Sequence, residues 1–200
     1  MDRLIEGYRR FRAEVWPAQK ARYEALSHDG QSPETLVIAC SDSRVDPATV
    51  FGAAPGEIFV VRNVAGLVPT YQPDAGYHGT SAALEYAVRV LKVTRIVVLG
   101  HVQCGGVQAM VEGAPAEARD FVEPWMSMAR SVLHDVHDHG PGVLNRCEVA
   151  VVQLSLANLL TFPWIAEAVD SGRLKLAGFR FEIRTGILEQ LEGGAMVPVT

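Results

Sequence analysis

Residues 35–40 read TLVIAC, an unbroken apolar run, rich in β-branched side chains, that ends in a cysteine. Three further stretches share its character: Glu57–Arg62 (EIFVVR), Arg95–Gly100 (RIVVLG) and Glu148–Gln153 (EVAVVQ). A strand with one wet face alternates apolar and polar residues. These are nearly continuous in apolar character, as strands covered on both faces of a parallel sheet are. Helical patterns fill the intervals over Gly79–Leu91, Ala116–His139 and Ser155–Ser171, and a last alternating segment, Leu174–Arg184, predicts an added edge strand. Strands alternating with helices predict an α/β fold, a mostly parallel twisted sheet of four to five strands flanked by helices. An α+β arrangement is the weaker alternative, because the strands read so consistently as two-faced.

Ahead of the first strand, residues 1–27 are helical in composition, with an apolar stripe of Leu4, Tyr8, Phe11, Val15 and Trp16 that Pro17 interrupts. Such a stripe requires cover. The expectation is an N-terminal helical arm over 1–27, covering its own domain or, the favoured reading, a neighbouring subunit, and one domain over 28–200. No repeat, low-complexity block or linker divides that domain.

The 200 residues suffice for one substantial core. A net charge of −5 argues against a nucleic-acid partner, since phosphate binding needs a clustered basic face. Arg9, Arg10, Arg12, Lys20 and Arg22 are interleaved with Glu6, Glu14 and Glu24, as on a solvated helix face. No stretch approaches the roughly 20 apolar residues that span a bilayer, and the N-terminus lacks the apolar core of a secretory signal. Three cysteines, an odd number in a chain this long, fit metal binding or catalysis in a reducing cytoplasm better than a disulfide framework.

Ligands of open parallel sheets bind beyond the carboxyl ends of the strands. Two predicted strands end there in metal-type residues: Cys40, followed by Ser41-Asp42-Ser43-Arg44, and Gly100, followed by His101-Val102-Gln103-Cys104-Gly105-Gly106. If the strands are neighbours, Cys40, His101 and Cys104 converge. Two sulfurs and an imidazole suit Zn²⁺, and three protein ligands leave a fourth tetrahedral position open, as catalytic zinc requires. Alone, Cys40 reads as a small buried hydrophobe and His-x-x-Cys is a weak signal. Asp42 and Arg44 strengthen the reading, because an unpaired charge directly after a buried strand is costly. Gly105 and Gly106 permit a tight turn that offers amides to the Cys104 sulfur.

These segments resemble a known family. Cys40-Ser41-Asp42-Ser43-Arg44-Val45 and Gly100-His101-Val102-Gln103-Cys104-Gly105-Gly106 are similar to the two signature segments of the β-class carbonic anhydrases. The resemblance extends through Pro55–Asn63, Ala83–Val88, Val152-Gln153 with Asn158-Leu159, and Gly178–Gly186. It implies zinc held by Cys40, His101 and Cys104, with Asp42 and Arg44 as a catalytic dyad. It further implies reversible hydration of carbon dioxide to bicarbonate and a proton by attack of a zinc-bound hydroxide. Two thiolates offset the zinc charge, so its water should ionise at higher pH than the value of about 7 typical of a three-histidine site. A bidentate Arg44 would keep the Asp42 carboxylate off the metal.

Resemblance to the plant-type branch implies a pocket lined by Gln31, Phe59, Val64 and Tyr86, with Gly105, completed across a homodimer interface that can build larger assemblies. Another branch carries a regulatory bicarbonate site with a Trp and a Tyr at positions that are Val37 and Phe181 here; Arg62 occurs in both branches. Cys147, His28, His78, His134, His137 and His139 match no ligand position. The rival readings are a carbonyl sulfide or carbon disulfide hydrolase on the same scaffold, and a zinc-containing interaction protein without activity. The intact Asp42 and Arg44 argue against the second.

Overall fold

A computed structural model describes residues 1–136 and 140–200. The N-terminal arm is α1 (Asp2–Arg10), a π-helical turn (Phe11–Val15) and α2 (Trp16–Asp29). Pro17 does not stop this helix. Its missing N–H and its ring conflict with the carbonyl four residues back, and the wider turn just before it, closed by the Trp16 amide on the Phe11 carbonyl, makes room. The far end of the arm is tied to its own domain. There Arg22 donates to the Pro55 carbonyl (2.6 Å) and to Glu57 (3.0 Å). Leu26 also lies so close to Gly56, at φ +85°, that a Cβ on that glycine would come within 2.7 Å of it. No residue of α1 or of the π turn is buried, and Leu4, Tyr8 and Val15 face outward uncovered.

The strands are β1 (Thr35–Cys40), β2 (Ile58–Asn63), β3 (Arg95–His101), β4 (Lys175–Glu182), β5 (Ile187–Glu192) and β6 (Ala195–Pro198). They form one sheet in the order β2-β1-β3-β4-β5-β6, parallel from β2 to β4 and antiparallel beyond. The sheet therefore has six strands, not four to five. Leu174–Arg184 does hold a strand, but β4 is interior, hydrogen-bonded to β3 and β5. Glu57–Arg62 becomes an edge strand with Val60 and Arg62 exposed, not one covered on both faces.

The short α3 (Pro47–Val50) links β1 to β2, and α4 (Gly79–Glu85) with a π turn (Tyr86–Val90) links β2 to β3. Asp46 caps α3, its carboxylate accepting from the Thr49 amide (2.9 Å) and hydroxyl (2.8 Å). Asp46→Ala is expected to cost about 1 kcal/mol, measured as a lower urea midpoint with an unchanged slope.

Between β3 and β4 lie α5 (Gly105–Glu112), α6 (Val122–Ser127), α7 (Ser131–Asp135), α8 (Val143–Leu159) and α9 (Pro163–Asp170). Glu148–Gln153, expected to be a strand, is the middle of α8. Its buried residues, Cys147, Glu148, Val151, Val152, Ser155 and Leu159, follow helical spacing. The helix expected over Ser155–Ser171 is broken at Leu160–Phe162, where Pro163 restarts the chain as α9 at 92° to α8. That expected over Ala116–His139 is a 3₁₀ turn followed by α6 and α7; its last residues, including His137 and His139, lie outside the described residues.

Alternation along β1 divides the core. Leu36 and Ile38 join Ile96, Val98, Val152, Leu159 and Phe162, while Val37 and Ala39 join Val97 and Leu99 on the other face. Cys40 and Cys104 belong to a third cluster with Val107, Met126, Cys147 and Val151. Among the described residues, no single helix is long and apolar enough to cross a membrane.

Candidate active site

Strands β1 and β3 are hydrogen-bonded neighbours in parallel register, Ala39 beside Leu99, so Cys40 and His101 close the carboxyl ends of adjacent strands. The loop after β3 returns Cys104 as the N-cap of α5. The ligand atoms of Cys40, His101 and Cys104 all lie within 4.8 Å of one another, and the three residues are buried. Gly106 makes the approach possible: a Cβ there would lie 2.8 Å from Val64 Cγ1 and 3.3 Å from the Ala65 nitrogen.

The donor set fits a zinc ion. The two Sγ atoms are 3.9 Å apart, and two sulfurs each bound at about 2.3 Å to a tetrahedral metal are separated by about 3.8 Å. His101 Nδ1 lies 3.0 Å from the Val102 carbonyl; donating there fixes the tautomer and leaves a lone pair on Nε2. That Nε2 is buried and has no hydrogen-bond partner among the described residues. The two sulfurs lie within hydrogen-bond reach of each other. The Cys104 thiol, with His101 and the Asp42 amide assisting, draws the Cys40 thiol down against the effect of burial. Cys104 is pushed up by Cys40 and by burial, while the Val107 and Gly106 amides at the start of α5 partly oppose this.

Beside the triad, Asp42 and Arg44 form a bidentate pair. Arg44 Nε donates to Oδ1 (2.9 Å) and Nη2 to Oδ2 (2.7 Å), while the Arg44 amide also donates to Oδ1 (2.9 Å). These bonds, the Arg44 side chain first, hold the Asp42 carboxyl well below the usual carboxylate range. Oδ2 lies 3.8 Å from His101 Nε2, so the carboxylate borders the ligand cluster without joining it. Arg62 braces the loop from beneath, donating to the carbonyls of Cys40 (2.9 Å), Asp42 (2.7 Å) and Val45 (3.1 Å).

The expected pocket residues are placed less uniformly. Val64 packs against Gly106 at the start of α5, and Gly105 is exposed at that helix's first position. Phe59 and Tyr86 pack on each other, ring centroids 5.9 Å apart; Phe59 sits against the core cluster of Leu36 and Ile38, not that of Cys40 and Cys104. Gln31 is an exposed loop residue ahead of β1. A largely apolar cavity of about 520 Å³ opens beside Val64, bordered by Tyr77, Phe121 and Trp125.

One residue of this region escaped the sequence reading. Glu148 of α8 is buried, and its Oε1 accepts a hydrogen bond from the Cys104 amide (3.2 Å). Burial pushes its carboxyl up, and the Cys104 and Gln103 amides pull the other way. A carboxylate between Cys147 and an apolar run was the available signal, since acids are almost never fully buried unless paired.

The profile of the family described as "Carbonic anhydrase" matches residues 35–188. A carbonic anhydrase of Pseudomonas aeruginosa is 38% identical over 200 residues, covering 98% of this chain and 89% of that protein. The solved β-carbonic anhydrase CcaA superposes with a TM-score of 0.91 at 32% identity, over 100% of this chain and 99% of that one. A structure described as one of two tetrameric β-carbonic anhydrases of Sordaria macrospora superposes with a TM-score of 0.73 at 29% identity, over 94% and 96%. A Cys-His-Cys cluster at adjacent strand ends, a bidentate Asp-Arg pair beside it and similarity along nearly the whole chain lead to one assignment: the chain belongs to the β class of the carbonic anhydrase family.

Proposed function

We propose that this chain catalyses the reversible hydration of carbon dioxide to bicarbonate and a proton, with zinc held by Cys40, His101 and Cys104 and with Asp42 and Arg44 as the catalytic dyad. The observation that carries the reading is the position of Asp42 Oδ2, 3.8 Å from His101 Nε2, fixed there by Arg44. When bound, zinc supplies the Lewis acidity that lets a water become a nucleophile near neutral pH. The side chains do the rest. Asp42 accepts the hydrogen of the attacking oxygen at Oδ2 and so aims its lone pair at the carbon. Arg44 keeps the carboxylate ionised and holds it out of the fourth ligand position. Val64 and Gly105 border an apolar approach suited to a small substrate with little to grip, and Gln31, Phe59 and Tyr86 complete it from a second copy of the chain. The descriptions of the relatives do not support the carbonyl sulfide or carbon disulfide alternative.

The N-terminal arm supports a homodimer, or a larger assembly built from it, because Leu4, Tyr8 and Val15 are left exposed by the described residues. Deleting residues 1–27 is expected to reduce the assembly to a smaller species in light scattering; an unchanged mass would remove this role for the arm. The absence of the regulatory Trp and Tyr supports an Asp42 that stays paired near neutral pH: Val37 is buried among apolar neighbours, and Arg62 is engaged with three loop carbonyls. The odd number of cysteines, three, supports a cytoplasmic setting. Stopped-flow hydration of CO₂ by the zinc-loaded chain, from about pH 7 to about pH 9, tests the whole reading. No rate above background across that range would refute it.

A further inference from the structure

We propose that Glu148 is a positioning residue of the metal centre: its carboxylate fixes the Gln103–Cys104 turn, and through it both the Cys104 ligand and the carbonyl that restrains Arg44. The inference rests on zinc binding at the triad. The turn needs a restraint, because Gln103 sits at φ +58°, a left-handed conformation uncommon for a residue with a side chain. Two groups grip it. On the outer side Arg44 Nη2 donates to the Gln103 carbonyl (3.0 Å), with the same nitrogen that holds Asp42 Oδ2 (2.7 Å). On the inner side Glu148 Oε1 accepts from the Cys104 amide (3.2 Å). A shift of this turn therefore moves a ligand and the dyad together.

Among the described residues, the hydrogen bond that the Glu148 carboxylate makes is to this turn. Glu148 is 3% exposed on a helix face shared with Cys147, Val151 and Val152, and its Oε2 has no hydrogen-bond partner among the described residues. The nearby cation, Arg180, is committed elsewhere, to Glu189 (2.8 and 2.6 Å) and to Asn145 (2.9 Å). A buried acid not directly paired with a cation is expensive, and the hydrogen bond it makes is with the backbone of Cys104. Groups that orient ligands in this way typically change metal affinity by about 10- to 100-fold when removed.

The test uses zinc-loaded full-length chains: wild type, Glu148→Asp and Glu148→Gln. Zinc affinity is measured by competition with a chromogenic chelator, and site geometry by the visible absorption of the cobalt-substituted proteins. Glu148→Asp keeps the charge but withdraws the oxygen by one methylene. It is expected to weaken zinc retention by about 10- to 100-fold and to alter the cobalt bands. Glu148→Gln keeps reach and acceptor and is expected to stay within about threefold of wild type. The reverse ranking, which a role resting on charge alone requires, overturns the proposal, and so do three equal affinities. Should Glu148→Asp fail to fold, a crystal structure of the zinc-loaded wild type decides. Oε1 on the Cys104 amide supports the proposal, and a carboxylate turned to Arg180 overturns it. A wild type that binds no zinc at the triad refutes the metal reading itself, a result distinct from either.

Discussion

Cys40→Ala is expected to remove zinc from the chain and to reduce CO₂ hydration by a factor on the order of 10³ or more. Lewis-acid assistance is worth several kcal/mol, and each ~1.4 kcal/mol is tenfold in rate. The substitution leaves one sulfur and one imidazole, and no near neighbour can replace the lost donor without breaking something else. Asp42 is locked by three hydrogen bonds from Arg44, and Glu148 by the Cys104 amide. The fold should survive, because Cys40 is a small side chain at a strand end. Elemental analysis separates loss of metal from loss of structure, with Cys147→Ala as the control. Cys147 is fully buried in α8, in the same core cluster but outside the triad, so its variant should keep zinc and hydration while losing some stability. Zinc retained in Cys40→Ala, or lost in both, would be incompatible with a Cys40–His101–Cys104 site.

The parts of the structure legible in the sequence were those that a short window specifies. TLVIAC and RIVVLG are strands because their apolar runs are bounded and β-branched, and the helix expected over Gly79–Leu91 runs as α4 and its π turn to Val90. EVAVVQ has the same local character and is nevertheless helical. An apolar run this short does not distinguish a buried strand from a buried helix, and the deciding period appears only over Cys147–Leu159. That misassignment also hid Glu148, which in a strand reading has no defined relation to Cys104. The hairpin of β5 and β6 was missed for another reason. ILEQLE is half-exposed and charged, so it carries no apolar run. Yet Gly193-Gly194, both at positive φ, is a two-residue turn of the kind that signals a hairpin. The metal-type residues were legible individually. Their convergence depends on β1 and β3 being neighbours in register, which a single sequence implies only through the topology of parallel sheets.

Arg44→Ala is the more discriminating prediction for the dyad. Zinc content should remain at wild-type level while kcat/KM falls by about 10²- to 10³-fold. The cause would be position, not protonation. With Arg44 present the Asp42 carboxyl is held well below the usual range. Without it the group returns toward its ordinary value of about 3.9 and is still ionised at neutral pH. What disappears is the fork that aims Oδ2. A carboxylate starting 3.8 Å from His101 Nε2 is then free to swing into the fourth ligand position and close it. Asp42→Asn fails differently: the site stays open, but an amide cannot be relied on to present an acceptor there, and the loss should be about 10²- to 10⁴-fold. Since both variants disable one device, the double variant should be scarcely worse than the more damaged single. The two failures also part in the cobalt-substituted protein. Closure by Asp42 should change the visible bands in Arg44→Ala, whereas Asp42→Asn should leave an open-site spectrum. Independent, multiplying losses would mean that Arg44 acts on substrate directly and not by restraining Asp42.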